Sequence, residues 1–527
     1  MLVLPLGPPR RSPTRRWLAL AVLCLSLLIV TLDNTVLNVA LPTLVRDLGA
    51  TSSQLQWIVD AYVIVFAGLI LVSGSLADRF GRQRMFMLGL LLFAAGSSWA
   101  AYSGSVGMLI AARASMGVGG SLIMPSTLAI ITDVFTNPRE RQRAFGFWAA
   151  TSGAGVALGP IVGGLLLAHF WWGSVFLINV PIAVIAIGCA LWLVPDSKDP
   201  AALGPDLVGS LLSIAGLGLL LWAIIDAPVE GWTSAVVIGA GIGGLVVLTL
   251  FVIWERLTSH PMLRLDFFRN RSFSTAIFSL SLVMFGLFGA LFILTQYLQF
   301  YLHFSALATG VRIIPAAGAI AIIAPLSTPL DRRLGTRVIV AVGLLVVAAG
   351  LWQISTATVT TTYWGTLWGM VMLGVGAGLA IPAVTGAVMG SLPRRHTGIG
   401  SATNGAFLQI GGAVGVAVIG SILSTHYQNQ MTPFLVPLHL PAAMQSTILG
   451  SIGGALDVAH RAGGMLGQVL AGQAGSAFIG GMDVALRAGA LVALVGGLLA
   501  LIALPTRQQG ADESDGAGEI EEHRAIV

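Results

Sequence analysis

Three charged side chains stand inside stretches that are otherwise apolar. They are Asp33 in Leu32-Asp33-Asn34-Thr35, Asp60 in Trp57-Ile58-Val59-Asp60-Ala61-Tyr62, and Arg113 in Ile110-Ala111-Ala112-Arg113. A charge surrounded by hydrocarbon costs about 2.5 kcal/mol or much more, so it is retained for pairing or for function. The chemistry open to such a carboxyl is limited. It can load and release a proton, hold the head of an organic cation, or pair with the guanidinium of Arg113. Trp57 and Tyr62 flank Asp60 and can offer ring faces to a cation. Asn34, Asn38, Gln296, Gln299 and Asn404 are uncharged polar groups in similar apolar surroundings and are candidate substrate contacts. The same residues also fit a permanent ion pair, Arg113 with either acid, that only fixes helix packing.

Other chemistries find no support in the residues. Cys24 and Cys189 lie in separate apolar runs, with no metal or disulfide spacing. No nucleophile elbow and no zinc motif occurs, and His169, His260, His303, His396 and His426 scatter around the ends of apolar runs. The single lysine, Lys198, has no glycine loop before it, so the chain has no P-loop for ATP. No cofactor or metal is expected; the energy must come from an ion gradient or from downhill flow. The net charge of +5 is spread over short loops without interleaved aromatics, which argues against nucleic acid.

The elements that position these residues follow from composition. Of 527 residues 56% are hydrophobic and 9% charged, against about 25% charged in soluble domains. Such a chain must be a polytopic membrane protein, all-α, because a helix satisfies its own backbone in lipid. Apolar runs predict fourteen spans, near 17–42, 52–75, 84–104, 106–133, 145–168, 173–195, 206–227, 233–255, 273–298, 305–329, 336–355, 363–390, 397–424 and 474–504. With both termini in the cytoplasm, Arg46 and Arg461 fall outside, Arg113, Arg312 and Arg487 fall within spans, and the other basic residues fall inside, as the positive-inside rule requires. Removing one span would invert every later loop. By counting at 1.5 Å per residue, Asp33, Asp60 and Arg113 all lie about 10–14 Å below the outer boundary. The four arginines Arg10, Arg11, Arg15 and Arg16 precede a retained first span rather than a cleaved signal.

The organisation is a short tail (1–16), a six-helix bundle (17–195), an inserted helix pair (206–255), a second six-helix bundle (273–504) and an acidic tail (505–527). Residues 425–473 are expected as a long outer loop, with an amphipathic helix over Ala455–Val469. Two inner turns repeat acid, base and glycine: Gly74 to Arg82, with Asp78, Arg79 and Gly81, and Asp331 to Arg337. They align if spans 1–6 and 9–14 are equivalent, the mark of alternating-access carriers. Asp78, Arg79 and Arg82 are expected to pair at an inner gate. Asp483 and Arg487, four apart in the last span, have the spacing of an intrahelical pair. Gly155, Gly159, Gly163 and Gly164 give a small-residue face for close helix approach, and Pro160 frees an acceptor there.

These motifs resemble the major facilitator superfamily, and more narrowly its fourteen-span drug:proton antiporters of the EmrB/QacA type. The resemblance covers nearly the whole chain. It rests on Leu32-Asp33-Asn34-Thr35-Val36-Leu37-Asn38-Val39-Ala40-Leu41-Pro42, on Gly74–Arg84, on Gly155 to Gly159-Pro160-Ile161-Val162-Gly163-Gly164, and on Trp172 through Asn179-Val180-Pro181. Asp60 narrows it to the QacA-, SmvA- and LfrA-like pumps for quaternary ammonium compounds, dyes and related cations. The resemblance implies a proton-driven multidrug exporter of lipophilic cations, fluoroquinolones among its candidate drugs, in a bacterial inner membrane. Within that reading the buried charges are expected to act as a proton-coupling pair, Asp33 with Arg113, and as a cation contact, Asp60, with Gly74, Asp78, Arg79, Gly81 and Arg82 as gating residues; the resemblance adds Gly155, Gly159 and Pro160 as the antiporter motif. The chain departs from the pattern at Ala114 to Gly117, where the usual glutamine is missing, and at Gln83. It also lacks the further acids in spans 10 and 13 of relatives that carry dications, having Arg312, Asn404 and Gln409 there. A dedicated exporter of a natural product or lipid would share this fold and coupling, and a proton-coupled importer would share the fold.

Overall fold

A computed structural model describes residues 13–198, 204–392 and 397–504. The acidic tail, most of the N-terminal tail, and Arg394, Arg395 and His396 lie outside the described residues. Helices run α1 Pro13–Leu48, α2 Ser52–Phe80, α3 Arg82–Ala101, α4 Val106–Val134, α5 Pro138–His169, α6 Ser174–Leu177 and α7 Asn179–Leu193. They continue with α8 Leu207–Glu230, α9 Ala235–Leu257, α10 Arg271–Gln296, α11 Ala306–Leu334, α12 Thr336–Ser355, α13 Tyr363–Gly390 and α14 Thr397–Leu435. The last are α15 Ala442–Gly450, α16 Ile452–Ala462 and α17 Gly464–Ala503. With α6 and α7 joined, fourteen of these are long and apolar enough to cross a membrane.

Local chemistry sets many of the ends. Thr51 makes a full capping box with Gln54 at the start of α2, and Ser305 caps α11 through the backbone N–H of Ala308. Both α2 and α11 end on glycines at positive φ, Gly81 (114°) and Gly335 (86°), where a side chain would be strained. Each donates its N–H four residues back, to Ala77 and to Asp331. The two turns singled out in the sequence are thus the same structure used twice.

The packing repeats as well. In the first bundle α1 packs on α5, α2 on α4, α3 on α4 and α7; in the second α10 packs on α14, α11 on α13, α12 on α13 and α17. Between the bundles, α8 and α9 form a hairpin. α8 touches α2 and α14, while α9 turns Val236, Ile242, Leu245, Val246 and Ile253 outward. That outward apolar face suits lipid. The molecule is therefore two six-helix bundles with an inserted pair.

One face carries the arginine-rich turns after α2, α4 and α11; the opposite face is called far here. Across the far half the bundles are clasped. Gly310 of α11 lies against the Pro160 carbonyl of α5, and a Cβ on Gly164 would come within 2.7 Å of the Leu307 Cα. Gln299 donates to the Val39 carbonyl of α1 at 2.8 Å. Toward the arginine-rich face, Phe147 of α5 and Ile322, Leu326 and Leu330 of α11 are exposed.

Residues 425–473 differ from the loop expected. α14 runs on to Leu435, because His426 to Met431 contains no helix breaker and buries Tyr427 and Met431 one turn apart. The Tyr427 hydroxyl then donates to the Ile448 carbonyl at 3.0 Å, tying α15 down. The amphipathic segment is α16 and ends at Ala462, since Gly463 and Gly464 both have positive φ. α17 starts at Gly464, before the predicted span.

Candidate functional site

α1 packs on α5 through the glycine face. A Cβ on Gly155 would strike Thr31 and one on Gly159 would strike Thr35, while Gly163 faces Val36. Thr35 also reaches the Gly155 carbonyl at 3.4 Å. This contact fixes the turn of α1 that carries Asp33.

Asp33 is 2% exposed and Arg113 is wholly buried. Asp33 Oδ2 accepts from Arg113 Nη1, and Oδ1 accepts from Asn179 Nδ2 at 3.1 Å. Asn179 also donates to Ser97 Oγ at 3.0 Å, and Ser97 donates to the Phe176 carbonyl at 2.8 Å. Arg113 Nε donates to the Ile58 carbonyl at 3.1 Å, and its guanidinium sits 4.5 Å from the Tyr62 ring centroid. Four helices, α1, α3, α4 and α7, thus meet α2 around one buried ion pair. Breaking such a pair by deleting one partner typically costs about 3–5 kcal/mol, because the other charge is stranded. The arrangement can either hold these helices together or trade the ion pair for another charge on one of its partners.

The charged group expected at one depth divides in the structure. Ile58 and Tyr62 turn one side of α2 to Arg113, while Asp60 projects from the opposite side. Asp60 is fully buried and neither carboxylate oxygen has a hydrogen-bond partner. Trp57 Nε1 donates to Asp226 Oδ2 of α8 at 3.0 Å, and Tyr62 covers Arg113, so these two rings do not gather around Asp60. Counting residues gives depth but not direction around the helix.

The other candidates spread over the molecule. Asn34 and Asn38 donate to carbonyls one turn back in α1, those of Val30 and Asn34. Gln296 donates to Phe292 within α10, whereas Gln299 crosses to α1. Asn404 of α14 has a buried Oδ1 without a partner. At the arginine-rich face Arg82 contacts Asp78 at 2.7 Å and Asp133 at 2.5 Å, and Ser197 donates to Asp133. Gly74 lies 4.0 Å, at its Cβ position, from Pro125. Arg79 lies over Phe80 at 5.8 Å. Asp483 and Arg487 are 2.5 Å apart on α17, partly exposed. Arg312 stacks on Phe304 at 3.7 Å.

Sequence reasoning passes over Asn179, Ser97, Asp133 and Asp226 as site residues. Asn179 stands in a quoted motif but carries no assigned role there. Its signal is an amide inside an apolar run, the same signal that marks Asn34 and Asn38.

Two equivalent helix bundles with an inserted pair, and a buried ion pair in the first bundle, have the repeat architecture of alternating-access carriers. Residues 23–416 match the model of the Major Facilitator Superfamily, and the chain belongs to that family. It is 36% identical to the multidrug efflux pump LfrA of Mycolicibacterium smegmatis over 85% of this chain and 88% of LfrA. It is 34% identical to the methyl viologen resistance protein SmvA of Salmonella typhimurium, over 91% and 97%. The tetracenomycin C resistance and export protein of Streptomyces glaucescens is 30% identical, over 95% and 93%. Among solved structures, a bacterial homologue of the human lysosomal transporter Spinster, inward-facing, matches with a TM-score of 0.63 at 16% identity, over 94% and 98%. A peptide transporter matches at 0.60 and 16%, over 92% and 93%. At that identity the likeness is one of fold.

Proposed function

We propose that this chain is a proton-coupled antiporter that exports lipophilic cations from a bacterium by alternating access. The observation that carries the reading is the buried Asp33–Arg113–Asn179 cluster. Asp33 is the coupling acid: with its proton off it holds Arg113, and with its proton on it releases that charge. Asp60 supplies the negative charge for the head of the cation. The efflux and resistance relatives, one of them named for the cation methyl viologen, support the substrate class. The arginine-rich face is cytoplasmic, both termini with it, and the membrane is the inner one. The conformation described, clasped at the far half, is then the one that loads substrate from inside.

The energetics suffice without ATP. One charge crossing 100 mV is worth about 2.3 kcal/mol. A one-for-one exchange with a monovalent cation moves no net charge and draws on the pH difference alone, about tenfold per pH unit, whereas each proton beyond the cation's own charge sustains a further gradient of about 40-fold.

The test is ethidium efflux from preloaded cells of a host lacking its own pumps, with and without a protonophore. Wild type, Asp33→Asn and Asp60→Asn are compared at matched membrane expression. Protonophore-sensitive efflux lost in both variants supports the reading. Full efflux by Asp33→Asn would end the coupling role. A wild type that leaves ethidium unmoved would favour a second reading, a dedicated exporter of a self-made compound, to which the tetracenomycin C export relative points.

A further inference from the structure

The position of Asp60 around α2 follows from its neighbours, at 100° of turn per residue. Trp57 and Gly68 face α8: Trp57 bonds Asp226, and a Cβ on Gly68 would lie 3.1 Å from Ser213 Oγ. Gln56 and Ile70 face α14, through Ser421 at 3.5 Å and a Cβ position on Gly405 at 3.3 Å. Ile58 and Tyr62 face α4. Asp60 falls on the arc between the first two sets, at the junction of α2, α8 and α14. One turn further, Ile64 and Ala67 line a cavity of about 10 Å³ with Leu217 and Leu221 of α8 and Ala413 of α14. Walls of that kind give a water no polar partners. A carboxylate here has neither solvent nor a donor, so the neutral acid is the form the junction accommodates.

α8 is tied to both bundles at this level. Trp57 of the first bundle donates to Asp226 of α8, and Ser421 of the second donates to the Ile224 carbonyl at 2.6 Å. Movement of one bundle against the other must strain one of these ties. The charged groups on the surrounding helices are Asp226 of α8, held by Trp57 one turn from Asp60, Glu230 one turn beyond it, and Arg113 of α4, which faces the other side of α2. α14 brings no charge to this level; its nearest titratable group is His426, beyond Ser421.

We propose that the inserted helix α8 is a gate over Asp60. While α8 is seated, the carboxyl keeps its proton. When the bundles rock and α8 parts from α2 and α14, the proton leaves and the carboxylate becomes available to a cationic head. The inserted pair is thus a moving part of the exchange and not a passive addition. This inference rests on the efflux reading for its purpose, but the gate itself has a separate readout.

The experiment locks α8 to α2. In a full-length chain carrying Cys24→Ser and Cys189→Ala, Gly68→Cys is paired with Ile214→Cys, which shortens the side chain lying nearest a Cβ at position 68. The control pair, Ala223→Cys with Gly241→Cys, spans α8 and α9, where the Cβ positions are 3.7 Å apart and within disulfide reach. Cross-linking is followed by gel mobility. Ethidium efflux and methylation of Asp60 by trimethyloxonium, which transfers a methyl group to the carboxylate form and releases dimethyl ether, read by mass spectrometry, are measured before and after reduction. The α2–α8 lock should lower both by about tenfold, reversibly, and the control should lower neither, as expected of a gating element. Unchanged Asp60 labelling in the locked protein, retained efflux, or failure of the first pair to cross-link overturns the gate. Absence of protonophore-sensitive efflux in the reduced protein, with labelling still lock-dependent, would instead overturn the efflux reading and leave the gate standing.

Discussion

At the scale of single residues, the buried cluster makes sharp demands. Asp33 accepts from two donors, and an amide in its place keeps the shape but accepts from only one of them and leaves Arg113 without its counter-charge. Asp33→Asn should therefore lose efflux, and a lowered melting temperature should report the stranded guanidinium. Arg113→Ala should do worse, costing about 3–5 kcal/mol by stranding Asp33, and should appear as lower yield and a lower melting temperature. Asn179→Ala removes one donor to Asp33 and the link to Ser97. It should cut efflux about tenfold, the equivalent of roughly 1.4 kcal/mol, while sparing expression. Much of this site is legible in the sequence, because an acid or a base in an apolar run is a rare event. Azimuth is not. Asp60 sits three residues past Trp57 and two before Tyr62, yet those three side chains serve α8, the α8–α14 junction and α4. Only the neighbours of a helix decide what each of its sides meets.

At the scale of elements, the α1–α5 contact is the most restrictive. Gly159→Ala pushes a methyl into Thr35, and neither helix can yield without moving Asp33. Efflux should fall, with a destabilisation of about 1–3 kcal/mol from overpacking. Thr35→Ala in the same chain removes the struck hydroxyl and should restore part of both, read by efflux and thermal unfolding. Small-residue spacing announces this face in the sequence. Nothing there announces the length of α14: polar residues at 425–431 read as a loop, although Tyr427 and Met431 are core residues of a helix that outlasts its apolar run. Hydropathy measures what suits lipid, and a helix capped by protein can continue past that limit.

At the scale of the molecule, the far-half clasp predicts a trap. Gly164→Cys with Leu307→Cys, cross-linked between α5 and α11, should hold the two bundles together there. Transport should stop, and reduction should restore it. Ethidium binding to the purified, cross-linked protein should persist if the far-clasped conformation is the one that takes up substrate. Loss of binding on cross-linking would mean that the substrate site forms only in the other conformation. The paired bundles are legible from the two acid-base-glycine turns; the ties from α8 to each bundle are not, since Trp57–Asp226 and Ser421–Ile224 join residues far apart in sequence.

The turn at the arginine-rich face has one more consequence. Arg82 clasps Asp78 and Asp133 there, and the chain as a whole uses a single lysine among its 27 basic residues. A guanidinium stays charged at any pH a cell survives. The cation of this latch therefore keeps its charge through any change of pH that the cell survives, and only its carboxylate partners, Asp78 and Asp133, can respond to one.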